Sequence, residues 1–152
     1  MKKTAVLLSC LVALLLACCA AFGEEVPVRV PLADTAAEVL HDAANLNEMD
    51  PEDLSDLLGI EPSEYTEVLW LAGEALEGRE VLVIRAVDAA SADHIQEELT
   101  FYLEQRLKET RNYLPVAYAL LSGAHVARQN NTVALVVGSD AAAETEALLA
   151  GE

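Results

Sequence analysis

The sequence predicts an α+β domain: a four-stranded antiparallel sheet made of two β-hairpins, with packed helices in the order ααββαββα. Three observations carry this reading. Two pairs of strand-length, β-branched runs are each joined by a short turn. A long stretch of helical periodicity separates the pairs, and shorter helical stretches lie before and after them.

The elements follow in chain order. Glu24 to Leu32 is a short tether in which Val26, Val28 and Val30 alternate, while Pro27 and Pro31 restrict it to an edge or a linker. Asp34 is the expected cap of a first helix whose apolar positions are Ala36, Val39, Leu40, Ala43 and Ala44. In "MDPEDLSDLLG", Asp50 can cap, Pro51 suits the first helical position, and Glu52 and Asp53 favour the positive end. Leu54, Leu57 and Leu58 form its expected apolar face, and Gly59 stops it. "IEPSE" is a turn.

The first hairpin pairs Tyr65–Leu71 with Val81–Val87 through Glu77-Gly78. The second pairs Ala124–Arg128 with Thr132–Val137 around Asn130-Asn131, residues that tolerate the positive φ of a tight turn. Between them lies the longest helix, about Ala92 to Asn112, with Ser91 as cap and Ile95, Leu99, Tyr102, Leu103 and Leu107 as its apolar stripe. Pro115 breaks it, and a short helical segment, Val116–Leu121, leads to Gly123. A last helix spans about Asp140 to Leu149 behind Ser139. The consecutive apolar residues Val81–Ile84 and Val133–Val137 read as strands buried on both faces, with helices as the expected cover.

The first residues have a different character. Lys2 and Lys3 precede an uncharged run from Thr4 to Gly23, whose apolar part Ala5–Ala17 has the length and flanks of a secretory signal. Leu15-Leu16-Ala17-Cys18 fits a lipobox, with an apolar residue three before the cut, a small one before it and Cys after it. Cys18 is then the lipid-attachment residue, and two acyl chains anchor where one is marginal. A second fate is cleavage after Gly23 in Ala21-Phe22-Gly23, which would release the chain. A third is no cleavage, the apolar stretch being at the lower edge for a membrane span. The first fate sets the expected organisation: residues 1–17 a lipoprotein signal peptide, 18–33 the lipidated Cys and tether, 34–150 a single domain.

Cys10, Cys18 and Cys19 are all in the leader, so the folded part has no disulfide, thiol chemistry or Cys-based zinc site. All 26 acidic residues follow Cys19 with only 7 of the 9 basic ones, which leaves the mature part near −19. Such a domain has no positive footprint for nucleic acid and is repelled by anionic headgroups. About 130 residues can bury a core without staples.

Chemical motifs are sparse. Ser55, Ser63, Ser91, Ser122 and Ser139 lie in no nucleophile elbow. His41, His94 and His125 are scattered, and no His-x-x-x-His pair exists. Aligning Asn45 and Asn47 to a calcium loop puts Met49 and Asp50 at positions that need a ligand and a Gly. There is no Gly-rich phosphate loop. No catalytic, metal or cofactor residues are assigned, and no cofactor is expected. Arg106 and Trp70 are singled out as candidate contacts with a ligand or partner. Arg106 shares the helix face of Leu99, Tyr102 and Leu103, where its stem can be buried and its head can reach a carboxylate or a ligand. Trp70 is a core anchor of its strand or a binding platform.

Four segments in this order and spacing, "DPEDLSDLLGIEPSEYTEVLWLAG", "EVLVIRAVD", "YLPVAYALL" and "NNTVALVVGSD", resemble a bacterial lipoprotein family, domain of unknown function 4358. The resemblance covers most of the chain. It implies a membrane-attached extracytoplasmic protein and supplies no activity and no catalytic residues. The expectation is therefore a lipoprotein on the outer face of the cytoplasmic membrane, a non-catalytic binding or assembly module whose partners are the membrane, through its lipid, and an envelope protein. The alternatives are a secreted protein and an envelope hydrolase whose carboxylates converge only in the fold.

Overall fold

The computed structural model describes residues 29–74 and 78–152. The leader, Cys18, most of the tether and the Glu77 turn position lie outside the described residues. The helices are α1 (Leu32–Val39), α2 (Asp53–Leu58), α3 (Ala89–Thr110), α4 (Pro115–Ser122) and α5 (Ala141–Leu149). The strands are β1 (Asn47–Glu48), β2 (Tyr65–Ala72), β3 (Glu80–Ala86), β4 (His125–Gln129) and β5 (Thr132–Val137). None of the described helices is long and apolar enough to cross a membrane.

The sheet is antiparallel throughout and has five strands in the order β1-β2-β3-β5-β4, not four. The additional strand is a two-residue edge, Asn47 and Glu48, registered on Ala72 and Leu71. Two polar residues carry no periodicity, and only the ladder of β2 makes them a strand. The expected hairpins are present, and β3 joins them by pairing with β5. Asn130, at φ 52°, takes the left-handed conformation that its tight turn requires. Pro115 opens α4 as well as ending the path of α3, so the short helical segment expected at Val116–Leu121 is present as a helix of its own, a fifth beside the four in the expected order.

Several caps differ from expectation. The long helix starts one turn earlier, because Asp88 Oδ1 accepts from the Ser91 backbone N–H at 2.8 Å. Asp34 lies inside the first turn of α1, which begins after Pro31. Asp140, not Ser139, is at the N-cap of α5. Gly59 ends α2 at φ 68°, as expected.

Period-two alternation splits the sheet residues between two cores. Trp70, Leu82, Ile84, Val133 and Leu135 face Leu54, Ile95, Leu99 and Leu121 from α2, α3 and α4. Leu69, Val81, Val83, Ala134 and Val136 face Leu32, Ala36, Ala141 and Leu148 from α1 and α5. Helices therefore cover both faces, which explains the unbroken apolar runs of β3 and β5. Each large apolar side chain so buried contributes about 1.5–3 kcal/mol.

Within α2 the three leucines part company. Leu54 and Leu58 are buried, whereas Leu57 is 63% exposed and does not belong to the inward face. Leu54→Ala is expected to lose about 2–5 kcal/mol of stability in urea unfolding. Leu57→Ala should stay within about 0.5 kcal/mol of the parent.

Candidate functional site

Alternation along β3 turns Glu80 to the same face as Leu82 and Ile84, into the core under α3. Its side chain is only 2% exposed, so its carboxylate needs partners. Three converge on it. Trp70 Nε1 on β2 donates to Oε1 at 2.7 Å. The Tyr102 hydroxyl lies 3.1 Å and 3.2 Å from the two carboxylate oxygens. Arg106 Nη1 donates to Oε2 and stands 3.1 Å from the same hydroxyl. Tyr102 and Arg106 are four residues apart on α3 and so share a face, with the Arg106 guanidinium 5.5 Å from the Tyr102 ring centre.

The two residues singled out in the sequence thus meet on one buried carboxylate that the sequence reading did not include. Glu80 lies one residue before the expected strand, Val81–Val87, and is the first residue of the observed one. The available signal was a charged residue bordering a run that reads as buried on both faces. Burial, and then the Glu80 charge, push the Tyr102 hydroxyl up to about 12. At neutral pH it remains a hydrogen-bond donor rather than a base.

Arg106 is also surface-accessible, its side chain being 21% exposed. It and Tyr102 line two adjoining concavities, of about 300 Å³ beside Trp70 and Glu80 and about 420 Å³ between α2 and α3. Only Nη1 of its guanidinium bonds an acceptor oxygen among the described residues. The site can hold a hydrogen-bonding, partly apolar group, and the Arg106–Glu80 pair itself carries no net charge.

Two further arginines, half-buried Arg79 and buried Arg85, are committed internally. Arg79 donates to both carboxylate oxygens of Asp42 at 2.8 and 2.9 Å, to Glu144 at 3.0 Å and to the Val137 carbonyl at 2.8 Å. It passes over Gly138, where any Cβ would collide with the guanidinium. These hydrogen bonds hold the Asp42 carboxyl below its ordinary value of 3.8. Asp42 and Glu144 face a common cleft of about 560 Å³, the arrangement a carboxylate hydrolase would use. The guanidinium between them keeps Asp42 ionised, which is the wrong state for a general acid. On β3, Arg85 is held by Glu67 and Glu152 and donates to the Val30 carbonyl at 2.8 Å.

The remaining candidates stay apart. His94 Nδ1 is 2.7 Å from Glu64 Oε1, while His41 and His125 are exposed elsewhere. No group of three or more metal-ligating side chains occurs among the described residues. The Ser122 hydroxyl donates to the Tyr118 carbonyl of its own helix at 2.7 Å, away from His125. Asp50 Oδ1 accepts from the Glu52 N–H at 3.0 Å in the turn before α2, but the expected cap is not there: α2 starts at Asp53 behind Glu52, with no side-chain capping bond, and Pro51 precedes it.

The profile of the family described as Domain of unknown function (DUF4358) matches residues 40–138. The chain belongs to this family. The DUF4358 region begins at Leu40, just after α1, and ends at Gly138, so it holds all five strands and the whole Glu80 cluster. No curated protein and no solved structure gives a significant match to the chain.

Removing Arg106 should leave the Glu80 carboxylate buried without its counter-charge. Arg106→Ala is expected to cost about 3–5 kcal/mol. Urea unfolding followed by emission of Trp70, the single tryptophan, reads this directly. The double variant Glu80→Gln, Arg106→Met should be more stable than Arg106→Ala alone. A double variant no more stable than the single one would contradict a charge pairing.

Proposed function

We propose that this chain is an extracytoplasmic lipoprotein anchored through Cys18, and that its domain is a non-catalytic binding module of the cell envelope. The observation that carries the binding reading is the division of labour among its side chains. Among the described residues Glu80, Arg79 and Arg85 are each paired with an opposite charge inside the fold, and only Oε2 of Glu144 is buried without a partner. The groove between α2 and α3 instead carries unspent donors of Arg106 beside the exposed apolar side chains Leu57 and Phe101.

The tether reading rests on the lipobox and fits the fold mechanically. Arg85 holds the Val30 carbonyl, and Glu67 Oε1 accepts from the Leu32 N–H at 2.7 Å. The chain therefore enters the fold on the α1/α5 side of the sheet, opposite the groove. Val30 lies twelve residues after Cys18. Fully extended, this stretch reaches about 40 Å, enough to hold the domain near a bilayer with its groove accessible. The net negative charge keeps the body off an anionic surface.

The test is the mass of the mature protein. Full-length chain and Cys18→Ala would be expressed in a lipidating bacterium, and intact masses taken from membrane and medium. The expected product is a membrane species that starts at Cys18 and carries a diacylglyceryl group, lost in the variant. An unmodified chain starting at Glu24 in the medium would overturn the anchor.

A further inference from the structure

Exposed apolar side chains are few for a domain this acidic, and two of them share a groove. Leu57 on α2 is 63% exposed and Phe101 on α3 is 56% exposed, and both line the concavity of about 420 Å³ whose floor includes Leu58, Tyr102 and Arg106. A groove of this size accepts one or two side chains rather than a whole element.

Its rim is acidic. Glu98 and Glu109 line the groove itself. Glu97 and Glu104 stand one helical turn to either side of Phe101 and line the adjoining surface with it. Glu97, Glu104 and Glu109 form no ion pair among the described residues. The one cation in the groove, Arg106, is already neutralised by Glu80.

From this we infer that the groove docks a segment of a partner protein that presents an apolar side chain flanked by Lys or Arg. This deepens the binding-module reading and rests on it. The apolar side chain enters between Leu57 and Phe101. The flanking cations meet the four glutamates, and a backbone carbonyl of the segment accepts from the free donors of Arg106. Charge decides among occupants. A second copy of this chain brings the same 26 acidic against 9 basic residues, and an anionic lipid surface is repelled in the same way. A cationic segment is attracted, and the apolar pair supplies what charge alone does not: a position.

The experiment uses the full-length chain in non-ionic detergent micelles and three fluorescent peptides. One is an amphipathic helix of leucine and lysine, one its leucine/glutamate counterpart, and one a serine/lysine peptide of the same charge as the first. Anisotropy should show binding of the leucine/lysine peptide well above the other two. Leu57→Ser with Phe101→Ser keeps the charge and should weaken binding at least ~10-fold, or about 1.4 kcal/mol. The micelle is common to both proteins, so this difference belongs to the groove, and unchanged Trp70 emission confirms the fold. Glu97→Gln with Glu104→Gln and Glu109→Gln should weaken binding and flatten its salt dependence. Asp34→Asn with Glu38→Gln, exposed on α1 across the sheet, should do neither. Equal binding by the Leu57/Phe101 variant, or by the leucine/glutamate peptide, would overturn the proposal. If the leucine/lysine peptide does not bind but a photo-crosslinker at position 101 in cells forms an adduct that one at position 38 does not, the partner chemistry is wrong and the binding-module reading stands. If neither occurs, both are overturned.

Discussion

The rest of the fold depends on how β3 holds a buried charge at each end while being covered on both faces. Glu80 and Arg85 bracket four fully buried apolar residues on the central strand of the sheet. Five positions apart, they point to opposite faces, Glu80 toward α3 and Arg85 toward α1 and α5. Taking either charge out of water costs several kcal/mol unless a counter-charge arrives with good geometry. Both are met from other elements: Glu80 by Trp70, Tyr102 and Arg106, and Arg85 by Glu67 and Glu152. A slip of β3 by one residue would turn each charge into the wrong layer, away from its partner. The apolar residues between them are nearly interchangeable under such a slip, so the charges discriminate registers where hydrophobicity alone cannot.

This also explains which parts of the fold were legible in the sequence. The two hairpins, the long helix and the stop at Gly59 were readable because each is a local matter of periodicity, turn chemistry or capping. The doubly buried strands were readable from their unbroken apolar runs, although not which helices cover them. Strand β1 was not readable, since Asn47 and Glu48 have no pattern of their own and become a strand only through the free edge of β2. The outward placement of Leu57 was hidden for a related reason. A six-residue helix has room for three leucines on one stripe, and only the packing of α3 decides which of them stay dry.

The site divides along the same line. Trp70 and Arg106 stood out as single residues, one for its size and one for its place on an apolar helix face. That they meet is a tertiary fact, set by the register of β2 on β3 and by the seating of α3 across the sheet. Glu80, which unites them, looks from sequence like an ordinary charge at a strand boundary. The same holds for Arg79 and Arg85. In a chain with 26 acidic residues, no single carboxylate announces that it is buried. Functionally, the internal pairing separates two populations of charge. The buried set organises the fold, and the exposed glutamates of α3 are the charges on which the proposed docking of a cationic segment at Leu57 and Phe101 rests.

The claim that a buried, donor-saturated Glu80 organises the core is tested most directly at the Trp70 indole. In ¹⁵N-labelled full-length protein, the Trp70 Nε1–H should exchange with deuterated solvent only as fast as the β3 amides, through global opening. An indole proton that exchanges at the rate of an exposed tryptophan while those amides stay protected would show that Glu80 is not held as described.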